Sequence, residues 1–376
     1  MPMHPRLVSL ALPLSSALAA AALLLASGCG PKKEPTNSPD VAAKPDPTAK
    51  PDAEAKPDAE AKPDAEAKPD AEAKPDAGAK VPADAFAIGT WNLDWAYDNI
   101  KQKRTKQAQP NVAKTDEDWE WKRDRVAEVL MAQKLDVVVI TEVGGDREIS
   151  DITSTIKDKG GYAYDYAWVS SEDRLTGKQV AILSRFPISG ERRTEAYTPM
   201  HVVADVELPT GVTITVIGVQ LREGAAKIVT DQRLEMAGSL KRRAAKERKK
   251  HPVVILGTVG DPTLPFDEGY AASAAGILAG KSCQDSAKES LAQHTTIGNP
   301  QALDRIFTCG LEMRAAETAG SELIVREEDD PEDSPWPSVP IAEAPHRDVS
   351  DHLVLWAEVV MPKTAEAAPA GEDEGE

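Results

Sequence analysis

Metal-binding side chains at ligand spacing, positive charge and long apolar runs are all scarce in this 376-residue chain. It holds three cysteines and six histidines. The one grouping of histidines with acids, His346, Asp348, Asp351 and His352, keeps all four on a single loop without the ligand spacing of a zinc site, which argues against zinc chemistry. Lys and Arg number 44 against 62 Asp and Glu, a formal net charge of −18. A field of that sign repels long nucleic acids and acidic lipids. The one dense basic run, KRRAAKERKK at Lys241–Lys250, falls at the end of a predicted helix, where cations favour the helix dipole and water solvates them.

The one long apolar run extends from Leu7 to Ala26, behind His4 and Arg6. It is too short and too Ala-rich for a membrane span and reads as an export signal over residues 1–28. Its end, Ala26-Ser27-Gly28-Cys29, resembles the bacterial lipobox, with Ala26 where Leu is usual. That resemblance implies cleavage before Cys29 and attachment to a membrane through lipid on that cysteine. An ordinary signal peptide and an uncleaved anchor helix are the alternatives. Gly30, standing where an aspartate would retain the protein at the inner membrane, implies the outer membrane of a Gram-negative cell.

Residues 29–85 have nothing to build a core with. KPDAEA repeats from Lys50 to Ala73, and a proline every sixth residue removes helix donors while almost no apolar surface offsets the entropy of ordering. The segment is expected to be an extended tether with a contour of about 170 Å at ~3.1 Å per residue. An acidic tail, 362–376, is expected to be unstructured as well. The folded part is 86–361. Export permits its two cysteines, Cys283 and Cys309, to form a disulfide.

Within that part, short apolar runs predict strands at Phe86–Leu93, Asp136–Glu142, Val180–Ser184, Val212–Gln220, Val253–Gly257, Arg305–Thr308 and Leu353–Val360. Two helices are predicted. Thr115–Lys134 opens with a capping-box-like Thr115 and Asp118 and lines Trp119, Val126, Val129 and Leu130 along one face; Val229–Arg248 is the second. The order is not a strict βαβ alternation, so an α/β sandwich with mixed sheets fits better than a doubly wound parallel sheet.

Four segments place polar residues at strand ends. GTWNLDW carries Asn92 and Asp94, DVVVITEV ends in Glu142, LDRIF carries Asp304, and SDHLVL carries Asp351 and His352. A lone acid ending a buried run needs a cation, which for Glu142 can be a metal or a salt-bridged arginine. Asn92 and Asp94 can equally cap a turn. Asp351 suits a hard divalent ion, and a carboxylate such as Asp304 would orient His352 and raise its proton affinity.

Taken in order with VAILSRFPI at Val180–Ile188 and VVILG at Val253–Gly257, these segments resemble the endonuclease/exonuclease/phosphatase family. The likeness spans about Phe86–Val360. It implies a deoxyribonuclease I-like, four-layer sandwich of two mixed β-sheets flanked by helices. It further implies Mg²⁺ or Mn²⁺ held chiefly by Glu142, with Asn92, Asp94 and Asp351 completing the metal and phosphate shell and Asp304 orienting His352. The family reaction is in-line attack of water on a phosphate ester.

The chain departs from the family pattern at three places. VVILGTVGDP has Thr258 at the aspartate position and Gly260 at the asparagine position, and Gln220 stands where a phosphate-gripping histidine is usual. Asp261, three residues on, is a candidate replacement base, but GTVGDP matches the family stretch without a gap, so Asp261 would project differently from position 258 and the register argues against it. The expectation is a membrane-tethered domain that binds a divalent ion or a small phosphate ester or lipid headgroup, with hydrolysis weak or lost. An active phosphodiesterase with a remodelled base and a tethered interaction domain are the alternatives.

Overall fold

The structure is a computed structural model and describes residues 82–98, 113, 115–161, 163–173, 176–193, 201–297, 301–320 and 349–363. The export signal, Cys29, the repeat tether, His346, Asp348 and the tail beyond 363 lie outside the described residues. Among the described residues no helix is long and apolar enough to cross a membrane.

Among the described residues, twelve strands form two six-stranded mixed sheets. The first is assembled from β1 (Ala85–Ala96), β2 (Val137–Val143), β3 (Tyr166–Val169), β4 (Gln179–Ser184), β11 (Met313–Ala319) and β12 (Val354–Val360), in the order β11-β12-β1-β2-β4-β3. The second takes β5 (Ile188–Arg193), β6 (His201–Glu207), β7 (Thr213–Gln220), β8 (Val253–Thr258), β9 (Cys283–Asp285) and β10 (Asp304–Cys309), in the order β5-β6-β7-β8-β10-β9. Each sheet has one parallel pair at its centre, β1 with β2 and β7 with β8. A parallel pair needs a crossover, and each pair is joined by a long helix: α1 (Asp116–Gln133) for the first, α3 (Lys227–Glu247) for the second. Helices α2 (Asp146–Asp158) and α4 (Ala274–Ala279) complete the set.

Alternation along the central strands explains the layering. Phe86, Ile88, Val137 and Val139 join a core that also contains Val180, Ile182, Val202, Val216 and Val219 from both sheets. Their neighbours Ala87, Trp91, Val138 and Ile140 turn the other way and pack with Trp119, Val126 and Leu130 of α1 and Ile149, Ile152 and Ile156 of α2. Gly218 leaves room for this packing: a Cβ there would meet Val202 Cγ1 at 2.8 Å and Val139 Cγ1 of the facing sheet at 3.0 Å. A side chain there would wedge the sheets apart.

The capping box at Thr115 and Asp118 is present with both reciprocal hydrogen bonds. The basic run at the end of α3 is a solvated face, with Lys241, Arg242, Lys246, Arg248, Lys249 and Lys250 exposed. Helices α2 and α4 and strands β3, β5, β6, β9 and β11 were not among the elements predicted above. Strand β9 is three residues long, and its place at the sheet edge is secured by Cys283, which is disulfide-bonded to Cys309 of β10 across a separation of 26 residues. Closing a loop of that size is worth ~3 kcal/mol. Thiol labelling of the native protein is therefore expected to find neither Cys283 nor Cys309 reactive, and Cys309→Ala to lower unfolding stability by ~3 kcal/mol; two reactive thiols in the native protein would contradict the bridge.

Candidate functional site

The site is built where two strands break their own ladder at the same level. Strand β1 shifts register between Asn92 and Ala96, and β2 shifts against β4 between Thr141 and Val143. Asp94 (φ 44°), Trp95 (φ 62°) and Glu142 (φ 62°) all take left-handed backbone there. Each such non-glycine residue costs on the order of 1–3 kcal/mol, a cost that persists only where the surroundings over-determine it. Bulges re-aim side chains, and here they bring Glu142 of the first sheet to Gln220 of the second.

Glu142 is the centre of the polar cluster. Its Oε1 accepts from Gln220 Nε2 at 2.5 Å and from Asn92 Nδ2 at 3.4 Å, and it is paired with Lys178 Nζ. The cation that a buried acid requires is thus a lysine. Lys178 lies 4.1 Å from the centroid of the Trp95 ring, and Trp95 is in turn braced edge-on by Tyr97 at 5.5 Å. A cavity of about 220 Å³ opens beside this pair, lined by Asp173, Thr176, Lys178, Gln220, Arg222 and Glu223 among others. The side-chain Nε2 of Gln220 is anchored to Glu142, while its Oε1 is buried without a hydrogen-bond partner among the described residues.

The second half of the site is a chain of hydrogen bonds across the sheets. Thr258 Oγ1 donates to Asp304 Oδ1 at 2.7 Å and lies 3.0 Å from Thr141 Oγ1; His352 Nδ1 is 2.5 Å from Asp304 Oδ2. The segment holding His352 is tied to β1 at two points and braced within itself at a third. Trp91 Nε1 donates to His352 O, Ser350 Oγ donates to Asn92 O, and His352 N donates to Ser350 Oγ. Asp351 stands outside this stitching. Its side chain is 63% exposed, and its Oδ1 is 3.6 Å from His352 Nε2.

These positions fix the charges. Burial works against a charged His352 ring, but the Asp304 carboxylate on Nδ1 overrides it, with help from Asp351 and Glu223, and raises the imidazole to about 10. Asp351 is pushed up to about 6 by the surrounding protein and by repulsion from Asp94 and Glu142, against the pull of His352. Lys122 of α1, buried and donating to Asp94 O at 2.7 Å, is brought down to about 8 by burial.

At the departures from the family pattern, the structure separates the candidates. Thr258 is fully buried and its hydroxyl is spent on Asp304. Asp261 does not replace it. Its Oδ1 accepts from Thr263 N and Oγ1, and its Oδ2 accepts from Ala274 N at 2.6 Å. Although burial opposes it, those bonds hold the Asp261 carboxyl below its ordinary range, which makes it a poor proton acceptor. The loop behind it is fixed by buried Arg305, which donates to the carbonyls of Asp261 and Thr263. Gly260 has φ 65°, and a Cβ there would meet Glu223 Cγ at 2.9 Å. Glu223 therefore crosses the space that a side chain at 260 would enter. It lies in a recess still open to water, where the enclosing protein and Glu142 push its carboxyl up to about 7.

Lys178, Lys122 and Glu223 were missed as site residues in the sequence. Lys122 left a trace: it falls on the buried stripe of α1 with Trp119 and Val126, where a lysine is out of place unless it serves a polar site. Lys178, in TGKQ before β4, and Glu223, in the turn after β7, carry no such signal.

The divalent ion implied by the family resemblance can be tested against these side chains. Among the described residues no three His, Cys, Asp or Glu side chains gather as a metal shell. Glu142 Oε1 already receives three nitrogen donors, one of them cationic. As arranged, with Oε1 occupied in this way, Glu142, Asn92, Asp94 and Asp351 do not form a ready shell for a divalent ion. Gln220 is likewise a holder of Glu142 rather than a free phosphate donor.

The raised affinity of His352 has a measurable consequence. Its stabilising contribution is fully present below its unfolded value near 6.5 and is lost as pH rises through about 10, and a shift of this size is worth on the order of a few kcal/mol. Urea unfolding between pH 6 and 10 is expected to show stability falling across that window, and the slope to shrink in Asp304→Asn. An unchanged slope in that variant would contradict the pairing.

No family model and no curated protein matches the sequence. Among solved structures, a humanized TDP2 from D. rerio aligns with a TM-score of 0.51 and 12% identity over 74% of this chain and 99% of that one. An endonuclease/exonuclease/phosphatase from Beutenbergia cavernae aligns at 0.49 and 17% identity over 73% of this chain and 71% of its own. The beta toxin of Staphylococcus aureus aligns at 0.47 and 16% identity, covering 72% and 99%. What the chain shares with the TDP2 structure is the fold: two mixed β-sheets flanked by helices, in the α/β class.

Proposed function

We propose that the domain binds a small phosphate ester or a phosphorylated headgroup in the cleft between its sheets and hydrolyses it weakly or not at all. In this reading it works outside the cytoplasm, held to a membrane by lipid on Cys29 and by the repeat tether. The observation that carries the reading is the state of the base position. Thr258 has no accessible base at neutral pH and its proton is committed to Asp304, while both oxygens of Asp261 are engaged elsewhere. Loss of a positioned general base forfeits roughly 10²- to 10⁴-fold in rate. Ligand-binding chemistry survives better. His352 carries a proton through neutral pH and can donate a charge-assisted hydrogen bond to a phosphate oxygen.

One observation favours a second reading, in which hydrolysis persists with a relocated base. Glu223 enters the space left by Gly260 and is pushed up to about 7, near the optimum for proton transfer at neutral pH.

The full chain in detergent, with p-nitrophenyl phosphorylcholine as probe and Mg²⁺ or Mn²⁺ present, separates these readings. Calorimetry is expected to show binding, weakened at least ~10-fold by His352→Ala, corresponding to loss of one charged hydrogen bond. Nitrophenol release is expected to stay at background. Turnover that Glu142→Ala or Glu223→Gln abolishes would overturn the first reading in favour of the second, and absence of binding would overturn both.

A further inference from the structure

The acid to which the family resemblance assigns a divalent ion carries a cation that belongs to the chain itself. Lys178 is held in place by its own main chain as well as by its charge. Its carbonyl accepts from Asp173 N at 3.0 Å, its N–H donates to Thr176 Oγ1 at 3.3 Å, and the next residue, Gln179, begins β4 and donates from Nε2 to Ser170 O at 2.5 Å. The side chain is 15% exposed and its ammonium ends between the Trp95 ring and Glu142 Oε1. An aromatic face attracts a cation there most strongly when water is excluded.

The oxygen it meets is also saturated. A carboxylate oxygen offers about two lone-pair directions, and Glu142 Oε1 already takes the amides of Gln220 and Asn92 besides the ammonium. Mg²⁺ demands near-octahedral oxygen ligands at about 2.0–2.1 Å. To reach this oxygen it would have to expel the ammonium, which is tied to β4 and would remain nearby as a repelling charge, and at the other oxygen, Oε2, it would sit across the carboxylate from that same charge.

We infer that Lys178 stands in for the divalent cation at Glu142, so that this position of the cleft is neutralised from within and excludes Mg²⁺ and Mn²⁺. The inference rests on the proposed phosphoester reading only in taking Glu142 as the place where an ion is expected; whether the cleft hydrolyses an ester is a separate question.

Mn²⁺ titration of the full chain in detergent, read by loss of the free-ion electron paramagnetic resonance signal, tests this without reference to activity. The native protein is expected to show no saturable site that depends on Glu142. Lys178→Met, which keeps the length of the stem and removes the charge, is expected to gain one, and Lys178→Met with Glu142→Gln to lose it again. Saturable Mn²⁺ binding by the native protein that Glu142→Gln abolishes would overturn the inference. So would the failure of folded Lys178→Met to gain a site. Because Lys178→Met leaves an acid buried without its cation and can fail to fold, amine acetylation of the native protein with and without Mn²⁺ gives a second measure. Protection of Lys178 that Mn²⁺ leaves unchanged supports the inference, and a rise in labelling shows the ammonium displaced by metal and overturns it.

Discussion

A carboxylate at the end of a buried strand is the constraint around which this domain is arranged. Strand β2 runs Val137–Val143 with every residue buried, and its acid, Glu142, could not be stable there without a cation and hydrogen-bond donors. The chain supplies both from distant parts of the sequence: Lys178 from the turn before β4, Asn92 from the bulge in β1, and Gln220 from the far sheet. The left-handed backbone at Asp94, Trp95 and Glu142 follows from bringing these groups together. Non-glycine residues in that conformation persist where the surroundings over-determine them.

The other half of the cleft shows what a threonine at position 258 does for stability. Thr258 donates to Asp304 at 2.7 Å, and Asp304 faces His352 at 2.5 Å. An aspartate at 258 would set two carboxylates against one another in a fully buried place, an arrangement that enzymes maintain at a cost in stability. Threonine turns that repulsion into a hydrogen bond and extends it to Thr141 of the opposite sheet. A threonine there offers no proton acceptor at neutral pH.

Much of this was legible in the sequence because it depends on local pattern. Runs such as VVVITEV and VTITVIGVQ announce strands by burial and alternation, and Thr115 with Asp118 announces the start of α1. The pairing of His352 with Asp304 was expected from the order of motifs. What escaped depends on tertiary contact. Helix α2 has Ile149, Ile152 and Ile156 at helical spacing, yet its short polar sequence hides the stripe. Strand β9 is too short to read and is held by the disulfide and by β10. Glu142 was expected to face either a metal or an arginine, and the identity of its partner lay in a turn whose residues, TGKQ, have no signature of their own.

The central claim is that the buried acid is neutralised by a residue of this chain. A crystal structure of the protein grown with Mn²⁺, with anomalous diffraction recorded to locate the ion, tests it most directly. The account predicts Lys178 Nζ against Glu142 Oε1 and no anomalous peak beside that carboxylate. A Mn²⁺ ion ligated by Glu142, with Lys178 swung away from it, would contradict the account.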